Sequence, residues 1–177
     1  MQNEESLVRQ AQQRNEQAFA QLYEAYFDKI YRYVALRIGD RMEAEDIAQQ
    51  VFLNAIQAIS SFKWRGIPFS AWLFRIAHNQ VVDHLRRKAK RATVPLEESL
   101  VASDYEPQLI AEQRLDIERL LVATKKLTPA QQEVISLRFA GGLPIAQVAK
   151  IMGRSEGAVK ALQHSAIVAL RKVFLVE

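Results

Sequence analysis

Cysteine is absent from the sequence. That excludes a disulfide scaffold, a thiolate nucleophile and a cysteine-ligated zinc site, and it suits a reducing compartment. Glycine and proline are sparse, with 6 and 5 among 177 residues, so few positions interrupt regular structure. Period-two runs of β-branched residues are missing, which argues against strands. No apolar run approaches the length that spans a bilayer, so no membrane insertion is expected. The stretch MQNEESLVRQAQQRNEQ is polar and has no apolar h-region; no signal peptide is expected, and a cytoplasmic location is. The three histidines, His78, His84 and His164, lack ligand spacing, and each reads as a surface or hydrogen-bonded residue. Gly141-Gly142 is too short for a phosphate loop and has no Lys-Ser/Thr after it. Glu43, Glu45 and Asp46 lie close, but Glu45 and Asp46 are adjacent and diverge on a helix, so they do not form the carboxylate cluster that metal-dependent phosphodiester chemistry needs. No catalytic residue, metal, cofactor or small-molecule substrate is expected.

What is present is helical periodicity and segregated charge. The net charge is +4 overall, split into +4 over residues 1–91, −5 over 92–119 and +5 over 120–177. Two basic blocks around an acidic one suggest two modules that each meet a polyanion. The competing explanation is a well-solvated surface, and charge alone favours nucleic acid only weakly. Apolar spacing predicts helices over Glu4–Arg14, Gln17–Ile38, Arg41–Ile59 and Phe69–Arg91. Phe19, Leu22, Tyr23, Tyr26, Ile30, Tyr33 and Val34 form the apolar side of the second. Met42, Ile47, Val51, Phe52, Ala55, Ile56 and Ile59 form that of the third, with Asp40 as its cap. A loop is expected over Ser60–Pro68. ATVPLEESLVASDYEPQ has no clean period, is acidic and carries two prolines, so it reads as a linker. The fold class expected is all-α: residues 1–91 as one helical domain, 92–111 as an acidic flexible linker and 112–177 as a second helical domain.

In the carboxy-terminal part, TPAQ at 128–131 is a capping box with proline at the first helical position. Gly141-Gly142 stops that helix, Pro144 opens the next, and Gly153 ends it. In PIAQVAKIMGRSEGAVKALQHSAIVALRK a small residue, Ala149, lies four before Gly153, and Val159 lies six after it. Two helices crossing steeply need a small side chain at their contact and a glycine in the tight turn. Ser155 then caps a last helix with Val159, Leu162, Ala166, Leu170 and Val173 inward, and Gly157, Lys160, Ala161 and His164 on an open face. That is a helix-turn-helix able to enter a major groove. An ordinary αα-corner is the alternative; the Ser155 cap, the basic terminus at Arg171 and Lys172 and the capped helix before it favour DNA.

The stretch FKWRGIPFSAWLFRIAHN, residues 62–79, holds both tryptophans and three phenylalanines, with Lys63 and Arg65 among them. Beyond it the predicted helix carries Arg75, Asn79 and Arg86 on one side, Leu73, Ala77, Val81 and Leu85 on another, and it ends in RRKAKR. Cations hold phosphates, aromatics stack on bases and an amide reads a base edge, so the pattern fits an unpaired strand. Aromatic core beside a solvated turn is the plain alternative.

AEDIAQQVFLNAI, SSFKWRGIPFSAWLFRIAHNQVVDHLRR and LTPAQQEVISLRFAGGLPIAQVAKIMGRSEGAVKALQHSAIVALRK together resemble the extracytoplasmic-function (ECF) sigma factors of the sigma-70 family. The resemblance covers nearly the whole chain, in family order. It implies a sigma-2-like domain, a linker and a sigma-4-like helix-turn-helix domain. It further implies docking on core RNA polymerase, at the β′ clamp helices through Glu45, Asp46, Gln49, Gln50 and Asn54, and at the β flap. Capture of the promoter −10 element would fall to Lys63, Trp64, Arg65, Arg75, Asn79, Arg86 and Arg87. Reading of the −35 element would fall to Ser155, Lys160, Ala161, His164 and Ser165. The linker would thread towards the polymerase active site and RNA exit channel, and an anti-sigma factor is an expected partner. Leu162 and Ser165 stand where many relatives carry arginines, and Pro144 where many carry an acid. Two other readings fit parts of the pattern: a helix-turn-helix repressor, which would need a dimerisation or effector domain, and a small nucleic-acid-processing enzyme, which would need the missing carboxylate cluster.

Overall fold

The computed structural model describes residues 3–92 and 111–175, with side chains from 118 onwards in the second stretch. Apart from its two end residues, the linker expected over 92–111 lies outside the described residues. The helices are α1 (Glu4–Gln12), α2 (Glu16–Ile38), α3 (Arg41–Ala58), α4 (Phe69–Arg91), α5 (Ala111–Thr124), α6 (Pro129–Ile135), α7 (Ile145–Met152) and α8 (Glu156–Leu175). A 3-10 turn, Ile59–Ser61, follows α3, and a π-helical turn, Ser136–Ala140, extends α6. No strand occurs among the described residues.

Local chemistry sets the boundaries. Asn15 accepts from the amide of Ala18 at 3.1 Å, and Asp40 accepts from Met42 and Glu43 at 2.9 and 3.0 Å. Each satisfies amides that the first helical turn leaves without partners. The first helix stops at Gln12, two residues earlier than its apolar spacing predicts, because Arg14 turns the chain at φ 65° ahead of the Asn15 cap. Thr128 and Gln131 form the reciprocal capping box, and Gly153 closes α7 at φ 65°. Pro144 precedes α7 as its cap residue instead of standing first inside it.

Two members of the expected α3 core stripe are not core. Met42 is 40% exposed and Ile56 48%, while Ala44 and Ala48 are fully buried in their place. The inward face of α3 is thus Ala44, Ile47, Ala48, Val51, Phe52 and Ala55, with Phe52 edge-on to Tyr23 of α2 at 4.8 Å, and Met42 and Ile56 fall outside it. α2 is the central element, with Leu22, Ile30, Tyr33 and Val34 among its buried residues. Burying each such side chain stabilises by roughly 1.5–3 kcal/mol.

One apolar core runs through both modules. Val8, Val51, Phe69 and Phe74 share it with Val134, Leu137, Leu143, Val148 and Val159. The approach is close enough that a Cβ on Gly141 would stand 2.9 Å from the Phe74 ring and 2.7 Å from the Leu137 carbonyl. A smaller cluster of Leu127, Ile135 and Ala166 holds α6 to α8.

Candidate nucleic-acid interface

The aromatic crowding around the loop separates into core and surface. Phe62 is 5% exposed and packs edge-on against Phe69 at 5.8 Å and tilted on Trp72 at 5.3 Å. The Gln12 side-chain amide donates to the carbonyls of Ile59 and Phe62 at 3.0 and 2.9 Å, tying the loop's start to α1. Trp64 stands edge-on to Phe62 at 5.1 Å and is itself 38% exposed. Lys63 and Arg65 are exposed, and Gly66 at φ 68° turns the chain between them and Pro68. Of the aromatics at 62, 64, 69, 72 and 74, Trp64 is the most open to solvent, and it rests on the buried Phe62, as stacking on a base requires.

α4 carries the rest of that surface. Leu73, Ala77 and Val81 are fully buried, whereas Arg75, Asn79, Arg86 and Arg87 are exposed. Positions 75, 79 and 86 fall on one helical face. The Arg87 guanidinium donates back to the Asp83 carbonyl at 3.4 Å. Beside this face lies a crevice of about 260 Å³ lined by Gly66, Trp72 and Arg75 on one side and by Pro144, Gln147 and Lys150 of the helix-turn-helix on the other.

On α8 the face expected to read duplex is open. Lys160, Ala161 and His164 are exposed, and Ser155 accepts from the Ala158 amide at 3.1 Å. Ser165 is differently placed. Its hydroxyl donates to the Leu162 carbonyl at 3.0 Å and accepts from the Gln131 amide at 3.1 Å, so α6 already engages it.

The α3 face holds Asp46, Gln49 and Gln50 exposed and Glu45 and Asn54 half-buried. Gln50 donates to Asn54 at 2.9 Å and Gln49 to Glu45 at 3.3 Å. Burial first, and the Asp46 charge second, hold the Glu45 carboxyl above its usual range. Met42 and Ile56 flank these groups, and Leu53, 55% exposed, joins them. Positions 42, 46, 49, 53 and 56 repeat at alternating steps of four and three, the spacing of a coiled-coil seam, with polar Asp46 and Gln49 at two of the five. Leu53 escaped the sequence reading, and the signal that finds it is a period of 3.5 on the polar side of the helix.

The second group missed is polar and buried. Glu133 on α6 is 3% exposed. Its Oε1 accepts from the Tyr33 hydroxyl at 2.7 Å and meets Nδ1 of His78 at 2.6 Å. Its Oε2 lies 2.5 Å from Nε of Arg37, out of line for a hydrogen bond, so that contact is ionic. Arg37 also donates to Gln132 at 3.0 Å. Burial pushes the Glu133 carboxyl up, but His78, Arg37 and Tyr33 together outweigh it and hold the group below its ordinary value. Tyr33, read from the sequence as one of an apolar stripe, is wholly buried with its hydroxyl in this cluster, and His78 is hydrogen-bonded as expected. Nothing in the spacing of 33, 37, 78 and 133 reveals that they meet.

A groove of about 590 Å³ opens between α2 and the carboxy-terminal module, lined by Leu36, Ile135, Phe139, Leu170 and Phe174, with Arg32 and Arg171. Among the described residues no three His, Asp or Glu side chains gather as a metal ion would need, and no helix is long and apolar enough to cross a membrane.

Against known proteins, residues 22–91 match the model of Sigma-70 region 2 and residues 123–172 that of Sigma-70, region 4. The chain is 40% identical over 169 residues to the ECF RNA polymerase sigma factor BldN of Streptomyces coelicolor, covering 94% of this chain and 64% of that protein. It thus spans somewhat under two thirds of that relative's length. It is 30% identical over 178 residues to the ECF RNA polymerase sigma factor SigW of Bacillus subtilis, covering 93% of each. Among solved structures, CnrH in complex with the cytosolic domain of CnrY superposes with a TM-score of 0.72 at 26% identity, covering 97% of this chain and 96% of that one.

Proposed function

This chain belongs to the ECF RNA polymerase sigma factors, and from that membership we propose that it docks on core RNA polymerase, recognises a two-element promoter and promotes its opening. The observation that carries the proposal is the order of the surfaces along the chain: a coiled-coil seam on α3, an aromatic and cationic face on the loop and α4, and an open helix-turn-helix face on α8. The α3 seam suits the β′ clamp helices, because a helical hairpin offers the complementary heptad and Asp46 can meet its cations. Trp64 with Lys63, Arg65, Arg75, Asn79, Arg86 and Arg87 takes the unpaired −10 strand. Lys160, Ala161 and His164, with the Ser155 cap, take the −35 duplex, and the engaged Ser165 hydroxyl contributes there mainly to the helix's seat on α6. The apolar groove beside Arg171 suits an amphipathic helix, such as one from the β flap or an anti-sigma factor. Domain limits of 1–91 and 112–177 about an acidic tether, a cytoplasmic location and the absence of any catalysis by this chain belong to the same reading.

The test is transcription in vitro by core polymerase with and without the chain, read by sequencing the transcripts. Defined start sites dependent on the chain are expected. Asp46→Arg should abolish core binding with helicity and melting temperature unchanged. Tight binding to duplex promoter in the absence of polymerase, with no new transcripts, would instead make the chain a repressor.

A further inference from the structure

The Glu133 cluster joins the two modules at a place where promoter binding, as proposed above, requires them to part. Tyr33 and Arg37 come from α2 and His78 from α4, all in the amino-terminal module; Glu133 comes from α6 in the other. At this junction α7 stands against α4, and the crevice between them is bordered by Trp72 and Arg75. The −10 and −35 elements are centred roughly 25 base pairs apart, about 85 Å of duplex at 3.4 Å per pair. Helices in contact lie about 8–10 Å apart. The packed arrangement therefore cannot present both surfaces to one promoter, and α7 crowds the edge of the strand-binding face. The α3 seam, in contrast, is exposed in the same arrangement.

We propose that Glu133 is an interdomain latch: its carboxylate, plugged into the Tyr33–Arg37–His78 pocket, holds the free chain closed with its α3 seam still available to polymerase. The residue types support release as well as closure. A junction meant to stay shut is served best by apolar side chains, because a buried ion pair gains little over them once both ions have been desolvated. Here every member of the cluster is one that water solvates readily when the modules separate, so the open state leaves none of them stranded. The closed state engages both carboxylate oxygens, Oε1 by hydrogen bonds and Oε2 by its ionic contact with Arg37 alone. The apolar neighbours Phe74 and Leu137 supply adhesion, and the latch supplies register, since a carboxylate meets three convergent partners in one orientation only. Removing the carboxylate charge leaves Arg37, 7% exposed, without its counter-ion, a penalty that parting the modules relieves.

The absence of cysteine makes the test direct. Exposed Ala20 on α2 and Lys172 on α8 are changed to cysteine and labelled as a donor–acceptor pair. In the free full-length chain a single high-transfer population is expected. Glu133→Gln should lower the ratio of closed to open chains at least tenfold with helicity retained, and Tyr33→Phe about threefold. Glu43→Gln, which disturbs a pairing inside one module, should leave transfer unchanged. Adding core polymerase to the parent should produce the open population. High transfer retained by a helical Glu133→Gln chain overturns the latch. If that variant loses helicity, Tyr33→Phe decides, and unchanged transfer there overturns it equally. A latch that opens on Glu133→Gln while core polymerase neither binds nor opens the parent leaves the latch standing and removes the proposed function.

Discussion

Two carboxylates in this protein make nearly the same set of contacts. Glu133 meets His78 and Arg37, and Glu43 meets His84 at 3.2 Å and Lys88 at 3.6 Å. Both histidines come from α4. What differs is water. The Glu133 side chain is 5% exposed and Arg37 7%, whereas Glu43 is 40% exposed and Lys88 57%. The same chemistry therefore serves two ends. Between the modules, where solvent is excluded, loss of the carboxylate leaves the Arg37 charge without a counter-ion that water could replace. On the surface, solvent replaces a lost partner at once, and such pairs contribute about 0–1 kcal/mol.

The comparison breaks most sharply on Glu133→Gln. Urea unfolding of the parent should be one cooperative transition, because one core spans both modules. The variant should lose roughly 3–5 kcal/mol and separate into two transitions; a single transition at the parent's midpoint would mean that the buried cluster is no tighter than the surface one. Acid should reach the same contribution by titration. The Glu133 carboxyl is held below its ordinary value in the folded chain, so its stabilisation is complete above the unfolded value, about 4.3, and is lost as pH falls through the lowered folded value. Urea midpoints from pH 7 down to pH 3 should thus fall more for the parent than for Glu133→Gln.

A smaller effect, of a different kind, is expected from exposed charge. Lys160→Ala should leave the melting temperature unchanged and weaken duplex binding by the holoenzyme. A base contact would cost about 1–3 kcal/mol and relax preference at one position. A phosphate contact would instead weaken all sequences evenly and flatten the salt dependence. A selection from randomised −35 sequences, repeated at two salt concentrations, separates these outcomes. The smallest effect should come from Glu43→Gln. Its loss should stay within about 1 kcal/mol by urea titration, and a larger one would show that the α3–α4 pairing is not governed by its exposure.

The candidate site was legible to the extent that it lies on single helices. Arg75, Asn79 and Arg86 share a face because a helix turns 100° per residue, and the structure exposes all of them. The Ser155 cap, the Gly153 turn and the Thr128–Gln131 box likewise depend on neighbours in sequence. The α3 seam was half legible. Asp46, Gln49 and Gln50 were evident as polar, but Met42 and Ile56 were assigned inward by hydrophobicity, because periodicity cannot tell a buried apolar residue from an exposed one. The aromatic loop resolved only in three dimensions, into the buried Phe62 and the outward Trp64.

What the sequence by itself determined is the helical class, the two-module order, the capping chemistry and the family, all of which rest on local spacing or on motifs a few residues long. What only the tertiary structure decided is that the modules share a core and that Glu133 finds Tyr33, Arg37 and His78 there. Those residues are 100, 96 and 55 positions from Glu133 in the chain. No local propensity links them, and their partnership exists only because packing Val134 and Leu137 against the amino-terminal module buries a carboxylate, which must then find donors or force the modules apart.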